Sequence, residues 1–263
     1  MDELKRDQDS SGFDQIVLHL SKNHSVKKLS LSGPEGSRWY KLPISVFSLH
    51  HLMDLDLCYC DLDHQPIFNV FGSLRSLSLF DVEMSTKTLL HVLSNCPSLK
   101  SLDLLIGDSH VGGKDCTIVE LFKCLPVIEH FTTYTYVSLW LVLDSVPKEL
   151  PVPLFHLKYF CFEDVCFVDG YGLAFLLVLV KCSPNLEKIK LEINPDHGCY
   201  EEYSVVWEEY SDVWSEHLNE LEIDCFSNSK PEMEFVKFIL ARSPKLKKVA
   251  YAAWLIGITS QRC

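Results

Sequence analysis

The chain has 263 residues, 47% hydrophobic and 23% charged, with 36 acidic against 24 basic side chains and a formal net charge of −12. This is the composition of a globular protein with a real core, which excludes a disordered or fibrous chain. The acidic balance argues against nucleic acid and anionic membranes, both of which are held by clustered Lys and Arg; the longest purely apolar run, Leu173 to Val180, is far short of the roughly 20 residues of a spanning helix.

Residues 1–12 are polar and lack the apolar stretch of a signal peptide. They are expected to be a flexible N-terminus of an intracellular protein, cytoplasmic or nuclear. Phe13 to Leu20 reads as an amphipathic capping helix. Then a repeat begins. Val26, Leu29 and Leu31 open it. Leu52, Leu55, Leu57, Cys60 and Leu62 follow, then Leu74, Leu77, Leu79, Val82 and Met84, both sets at offsets 0, 3, 5, 8 and 10. Leu99, Leu102, Leu104 and Ile128, Phe131, Thr133 keep the first three positions. Leu157, Phe160, Phe162, Val165 and Phe167 fill all five again. Leu186, Ile189, Leu191 with Asn194, then Leu218, Leu221, Ile223 and Leu246, Val249, Tyr251 complete nine copies, which start 22 to 32 residues apart. These offsets are those of a leucine-rich repeat.

Helical stretches precede several copies, with apolar residues spaced as in Leu89, Leu90, Leu93 and in Phe235, Val236, Ile239, Leu240. Pro97, Pro126, Pro184 and Pro244 end them, because proline cannot continue a helix and biases its predecessor toward extended backbone. Cys96, Cys124 and Cys182 sit beside these prolines as small buried turn residues. One strand and one helix cannot bury an apolar face alone, so the copies must stack. The expected fold is α/β, a leucine-rich-repeat solenoid with a curved parallel sheet and helices on the convex side, forming one domain over residues 13–263. Gly112-Gly113 reads as a flexible turn, and the apolar end YAAWLIGITSQRC shows no cap.

Side chains alternate along a strand, so offsets 3 and 5 point inward and offsets 2, 4 and 6 face the concave surface. The concave residues expected to meet a partner are Phe80, Asp103, His130, Thr132, Tyr134, Tyr159, Glu163, Lys188 and Lys190. An insert at 196–217 adds aromatic residues three and four apart, among them Tyr203, Trp207, Tyr210 and Trp214. On a helix they form one stripe, which either packs on the solenoid or docks a basic partner.

No Gly-rich phosphate loop, Gly-x-Ser-x-Gly elbow or His-Glu-x-x-His helix occurs, so an enzyme, a cofactor and a catalytic residue are not expected. The cysteine spacings match no zinc site, and neither metal nor disulfide is expected.

The stretch LPISVFSLHHLMDLDLCYCDLDHQPIFNVFGSLRSLSLFDVEM with LLHVLSNCPSLKSLDL resembles the plant F-box/LRR proteins that carry an FBD region, and LNELEID at 218–224 with EMEFVKFILARSPKLKKV at 232–249 resembles the FBD segment within an FBD-like part at 185–255. The resemblance implies a protein-recognition module that chooses targets for ubiquitination. It also implies a Skp-type adaptor as partner, but only where an F-box lies upstream. Residues 1–12, with Leu4 their only large apolar side chain beyond the initiator, are expected to lack that docking surface. A stand-alone interaction or decoy protein and a small-molecule receptor on the concave face are the alternatives.

Overall fold

The computed structural model describes residues 14–22, 25–33, 40–62, 71–107, 111–112, 116–142, 147–167, 171–194 and 207–253. The chain divides into two compact units, Met1–Glu129 and His130–Cys263. Among the described residues no helix is long and apolar enough to cross a membrane.

In the first unit, helix α1 covers residues 14–22. Val17 is buried there, while Ile16 and Leu18 are exposed. The segments KLSLS, DLDLC, SLSLF and SLDLL alternate leucine with small or acidic residues and make the long strands, because alternation gives each strand one apolar and one polar face. In chain order the elements are β1 (Lys28–Ser32), β2 (Tyr40–Lys41), β3 (Asp54–Cys58), β4 (Cys60–Asp61), β5 (Ser76–Phe80), β6 (Met84–Ser85), α2 (Thr86–Ser94), β7 (Ser101–Leu105), β8 (Val111–Gly112) and α3 (Ile118–Lys123). β1, β3, β5 and β7 pair in parallel, with Leu29, Leu55, Leu77 and Leu102 on one line and Leu31, Leu57, Leu79 and Leu104 on the next. From Leu55 to Leu104 these leucines are at most 4% exposed.

Helix ends are set by side chains. The Ser85 hydroxyl accepts from the Thr88 N–H to start α2. Thr117 and Glu120 form a reciprocal capping box on α3, which satisfies N–H groups that the first turn leaves unpaired.

The second unit contains β9 (His130–Tyr134), α4 (Thr135–Val142), β10 (Tyr159–Val165), α5 (Tyr171–Cys182), β11 (Lys188–Ile193), β12 (Glu220–Phe226), α6 (Lys230–Arg242) and β13 (Lys248–Ala253). Its five strands are parallel and pair in chain order. Here the core is aromatic. Phe160 meets Phe131 at 5.9 Å, Phe162 at 5.8 Å and Phe175 of α5 at 6.3 Å. Glu232 anchors α6, accepting from the N–H groups of Ser227 and Ser229.

In four copies the residue at offset 7 turns the chain at or next to the end of the strand. Tyr59, Asp81, Asp164 and Cys225 hold φ of 52°, 44°, 59° and 59°, the left-handed region that few side chains enter without cost. The turn swings offset 8 inward, so Cys60, Val82 and Val165 are fully buried. In β10 and β12 it interrupts the ladder register as a bulge. The two aspartates also bind the following copy: Asp81 accepts from the Gly107 N–H at 3.2 Å, and Asp164 accepts from the Asn194 side-chain amide. Gly33 holds offset 7 of the first copy, where a Cβ would stand 2.4 Å from the Tyr59 carbonyl oxygen.

Three expectations change. Gly112 belongs to β8, paired with Ser85 of β6, rather than to a flexible turn. α4, which follows β9 without a loop, was not foreseen. Cys166 is disulfide-bonded, against the reading that no disulfide exists; cysteine spacing along a chain tests for a metal site but does not show which thiols come within bonding distance. Cys96 and Cys182 are buried in their turns as expected, Cys182 accepting from the Leu150 N–H at 3.1 Å, while Cys124 is only half-buried. The apolar C-terminal end lies outside the described residues past Ala253, and Tyr251 in β13 is 70% exposed.

Candidate functional site

The alternation that buries the leucines turns the intervening side chains outward. In the first unit Cys58, Phe80 and Leu105 share one register line, and Asp56, Ser78 and Asp103 share the line before it. Phe80 and Asp103 are both half-buried there. Phe80 meets the ring of Tyr59 edge-on at 5.7 Å. Asp56 accepts from the Ser30 hydroxyl at 2.9 Å.

In the second unit His130, Tyr159, Lys188, Glu220 and Lys248 share a line, and Thr132, Cys161, Lys190 and Glu222 share the next. Tyr134 stands opposite Glu163. His130 is exposed and lies 6.0 Å from the Tyr159 ring, while Thr132, Tyr134, Tyr159 and Glu163 are half-buried. Cys161 occupies an outward offset yet is only 3% exposed. Burial pushes its thiol up to about 11, with the neighbouring Tyr159 hydroxyl opposing the shift.

The two lysines expected to meet a partner already have partners. Lys188 binds Glu222 at 2.6 Å and Glu220 at 3.4 Å, and its ammonium lies 5.9 Å from the Tyr159 ring centroid. Lys190 binds Asp224 at 3.1 Å. Lys248 closes the ladder onto Glu220 and Glu222. Sequence reasoning missed these pairs, although all three lysines and both glutamates stand at equivalent outward offsets of successive copies.

Hydrogen bonds from Lys188 hold Glu222 below the usual carboxylate range, and Lys188 is raised in return. A lowered carboxylate contributes stability above its unfolded pKa, ~4.3, and loses it as pH falls through the folded value; a raised lysine contributes below ~10.4 and loses it as pH rises through the folded value. A carbon-detected NMR titration is expected to place the Glu222 midpoint below that of an ordinary glutamate, and Lys188→Met to bring it back up. An unshifted midpoint in the parent chain would show that the ladder is not formed.

The aromatic insert does not make one helical stripe. Trp207 and Tyr210 lie in a single 3-10 turn, Trp207–Tyr210, which ends where the Val213 N–H binds the Tyr210 carbonyl oxygen and Val213 takes the buried place. The Trp207 ring packs 4.9 Å from Phe238 of α6. Trp214 is 55% exposed. Tyr203 lies outside the described residues. Among the described residues no group of three His, Cys, Asp or Glu could hold a metal ion.

Comparison with known proteins agrees with this architecture. The family described as "FBD-associated F-box protein At5g56370, LRR repeats" matches residues 15–133, and the FBD family matches residues 214–250. The F-box/FBD/LRR-repeat protein At1g13570 of Arabidopsis thaliana is 27% identical over 291 residues, covering 92% of this chain and 69% of that protein. The F-box/FBD/LRR-repeat protein At3g26920 of the same plant is 30% identical over 123 residues, covering 46% of this chain and 28% of its own length. In its repeats and its FBD segment, the chain is similar to the plant F-box/FBD/LRR-repeat proteins along most of its length.

Proposed function

We propose that this chain is the target-recognition part of a ubiquitin-ligase adaptor, and that the outward strand residues of the repeats contact the target. The observation that carries the reading is the cluster on β9 and β10, where His130, Thr132, Tyr134 and Tyr159 stand on the outward face although the core needs none of them there. Aromatic side chains of this kind dominate protein-binding hot spots. Lys188 and Lys190 serve chiefly to hold β12 and to flank the cluster, since their charges are already matched. The ligase link rests on the family, whose members named above are F-box proteins.

The test has two steps. Capture from plant extract with the 263-residue chain, followed by mass spectrometry, is expected to yield a protein that a His130→Ser/Tyr159→Ser variant of unchanged fold no longer retains. The captured protein is then expected to be ubiquitinated in a reconstituted reaction when an F-box segment is joined ahead of Met1, while the chain without it binds no Skp-type adaptor in calorimetry. Capture without ubiquitination would favour a stand-alone interaction protein; retention by the face variant would remove the site.

A further inference from the structure

Along the beginnings of the strands in the first unit, one residue from each repeat forms a row. The Met53 N–H binds the Lys27 carbonyl oxygen, the Arg75 N–H that of Met53, and the Lys100 N–H that of Arg75, each at 2.8 Å. The side chains of Lys27, Arg75 and Lys100 therefore stand at strand spacing along one edge. All three are exposed, as is Lys28 beside them. Lys100 binds Glu129 at 2.6 Å. Lys27, Lys28 and Arg75 make no side-chain hydrogen bond or ion pair among the described residues. The hydroxyls of Ser76 and Ser101, next to Arg75 and Lys100 and half-exposed, are likewise without partners there. Apart from Glu129, the band holds one carboxylate among the described residues, Asp54, across from Lys28 in register.

This edge is the reverse of the second unit's ladder, where each lysine on the outward face meets a carboxylate. In a chain of net charge −12, unmatched cations collected on one line are available to an outside anion, and complementary charge of this sort sets which partners dock. We propose that the strand-start edge of the first unit, centred on Lys27, Lys28 and Arg75 with the Ser76 and Ser101 hydroxyls, binds an acidic, Asp- or Glu-rich segment of the protein target. The inference rests on the reading of the chain as a recognition module and adds the chemistry of the partner.

The dimensions suit a peptide. Lys27 to Lys100 spans three strand spacings, about 14 Å, the length of four or five extended residues. A broad polyphosphate fits worse. Asp56 and Asp103 lie two residues further along β3 and β7, ~7 Å away, and repel an anion spreading over the face. They confine the segment to the edge.

The experiment is fluorescence anisotropy of the 263-residue chain with a labelled deca-glutamate peptide at low salt. Binding is expected to weaken at least about tenfold in K27E/R75E and less than about twofold in K87E/K123E, which makes the same change in net charge at exposed positions outside the band. Added salt is expected to weaken it further. Equal losses in the two variants, no binding of deca-glutamate, or tighter binding of a ten-nucleotide single-stranded RNA would overturn the proposal. Target capture that needs Tyr159 but survives K27E/R75E would sink this inference alone. Deca-glutamate binding that is lost in K27E/R75E, with no protein captured by the chain, would sink the functional reading alone.

Discussion

Replacing Phe160 by alanine is expected to lower stability by about 3–5 kcal/mol, the range for deleting a buried aromatic ring. Phe160 is fully buried, and its ring meets Phe131, Phe162 and Phe175 within 6.3 Å. Those rings come from β9, β10 itself and α5, so one truncation loosens two strands and the helix packed on them. Neighbours this large cannot collapse into the space without leaving their rotamers, which keeps the cost toward the top of the range. Urea unfolding with circular dichroism is the measurement. A loss under about 1 kcal/mol would mean that the side chain does not sit in the core.

Leu77→Ala is expected to cost about 2–5 kcal/mol. Leu77 lies in the middle of β5, 1% exposed, between Leu55 and Leu102 on adjacent strands. Its outward neighbours make the control. Ser78→Ala, one residue on and half-exposed, is expected to change stability by less than about 0.5 kcal/mol, as surface substitutions do. Comparable losses at Leu77 and Ser78 would contradict the alternation from which the outward face is read.

Core positions were legible because offsets 3 and 5 repeat leucine, isoleucine and phenylalanine so regularly that a one-residue slip would expose all of them. Left-handed residues at offset 7 were not, since Tyr59, Asp81, Asp164 and Cys225 have no one side-chain type common to all four and none is glycine. α4 escaped because TYVSLWLV has no clear apolar and polar faces and follows β9 directly, so neither periodicity nor a turn marks its start. What each side chain at an outward offset does depends on neighbours 28 to 34 residues away. Lys188 and Lys190 are paired by Glu222 and Asp224 of the following copy. That pairing was within reach: lysine, glutamate and lysine fall at offset 2 of three successive copies, and adjacent parallel strands bring opposite charges together.

The outward face of the repeats as the contact surface is tested most directly by site-specific photo-crosslinking. A benzophenone amino acid placed at Tyr159, and separately at the exposed Lys237 of α6, would be irradiated in plant extract. The protein captured by the parent chain is expected to crosslink to the Tyr159 position and not to the Lys237 position. Crosslinking to that protein from Lys237 with none from Tyr159 would contradict the assignment.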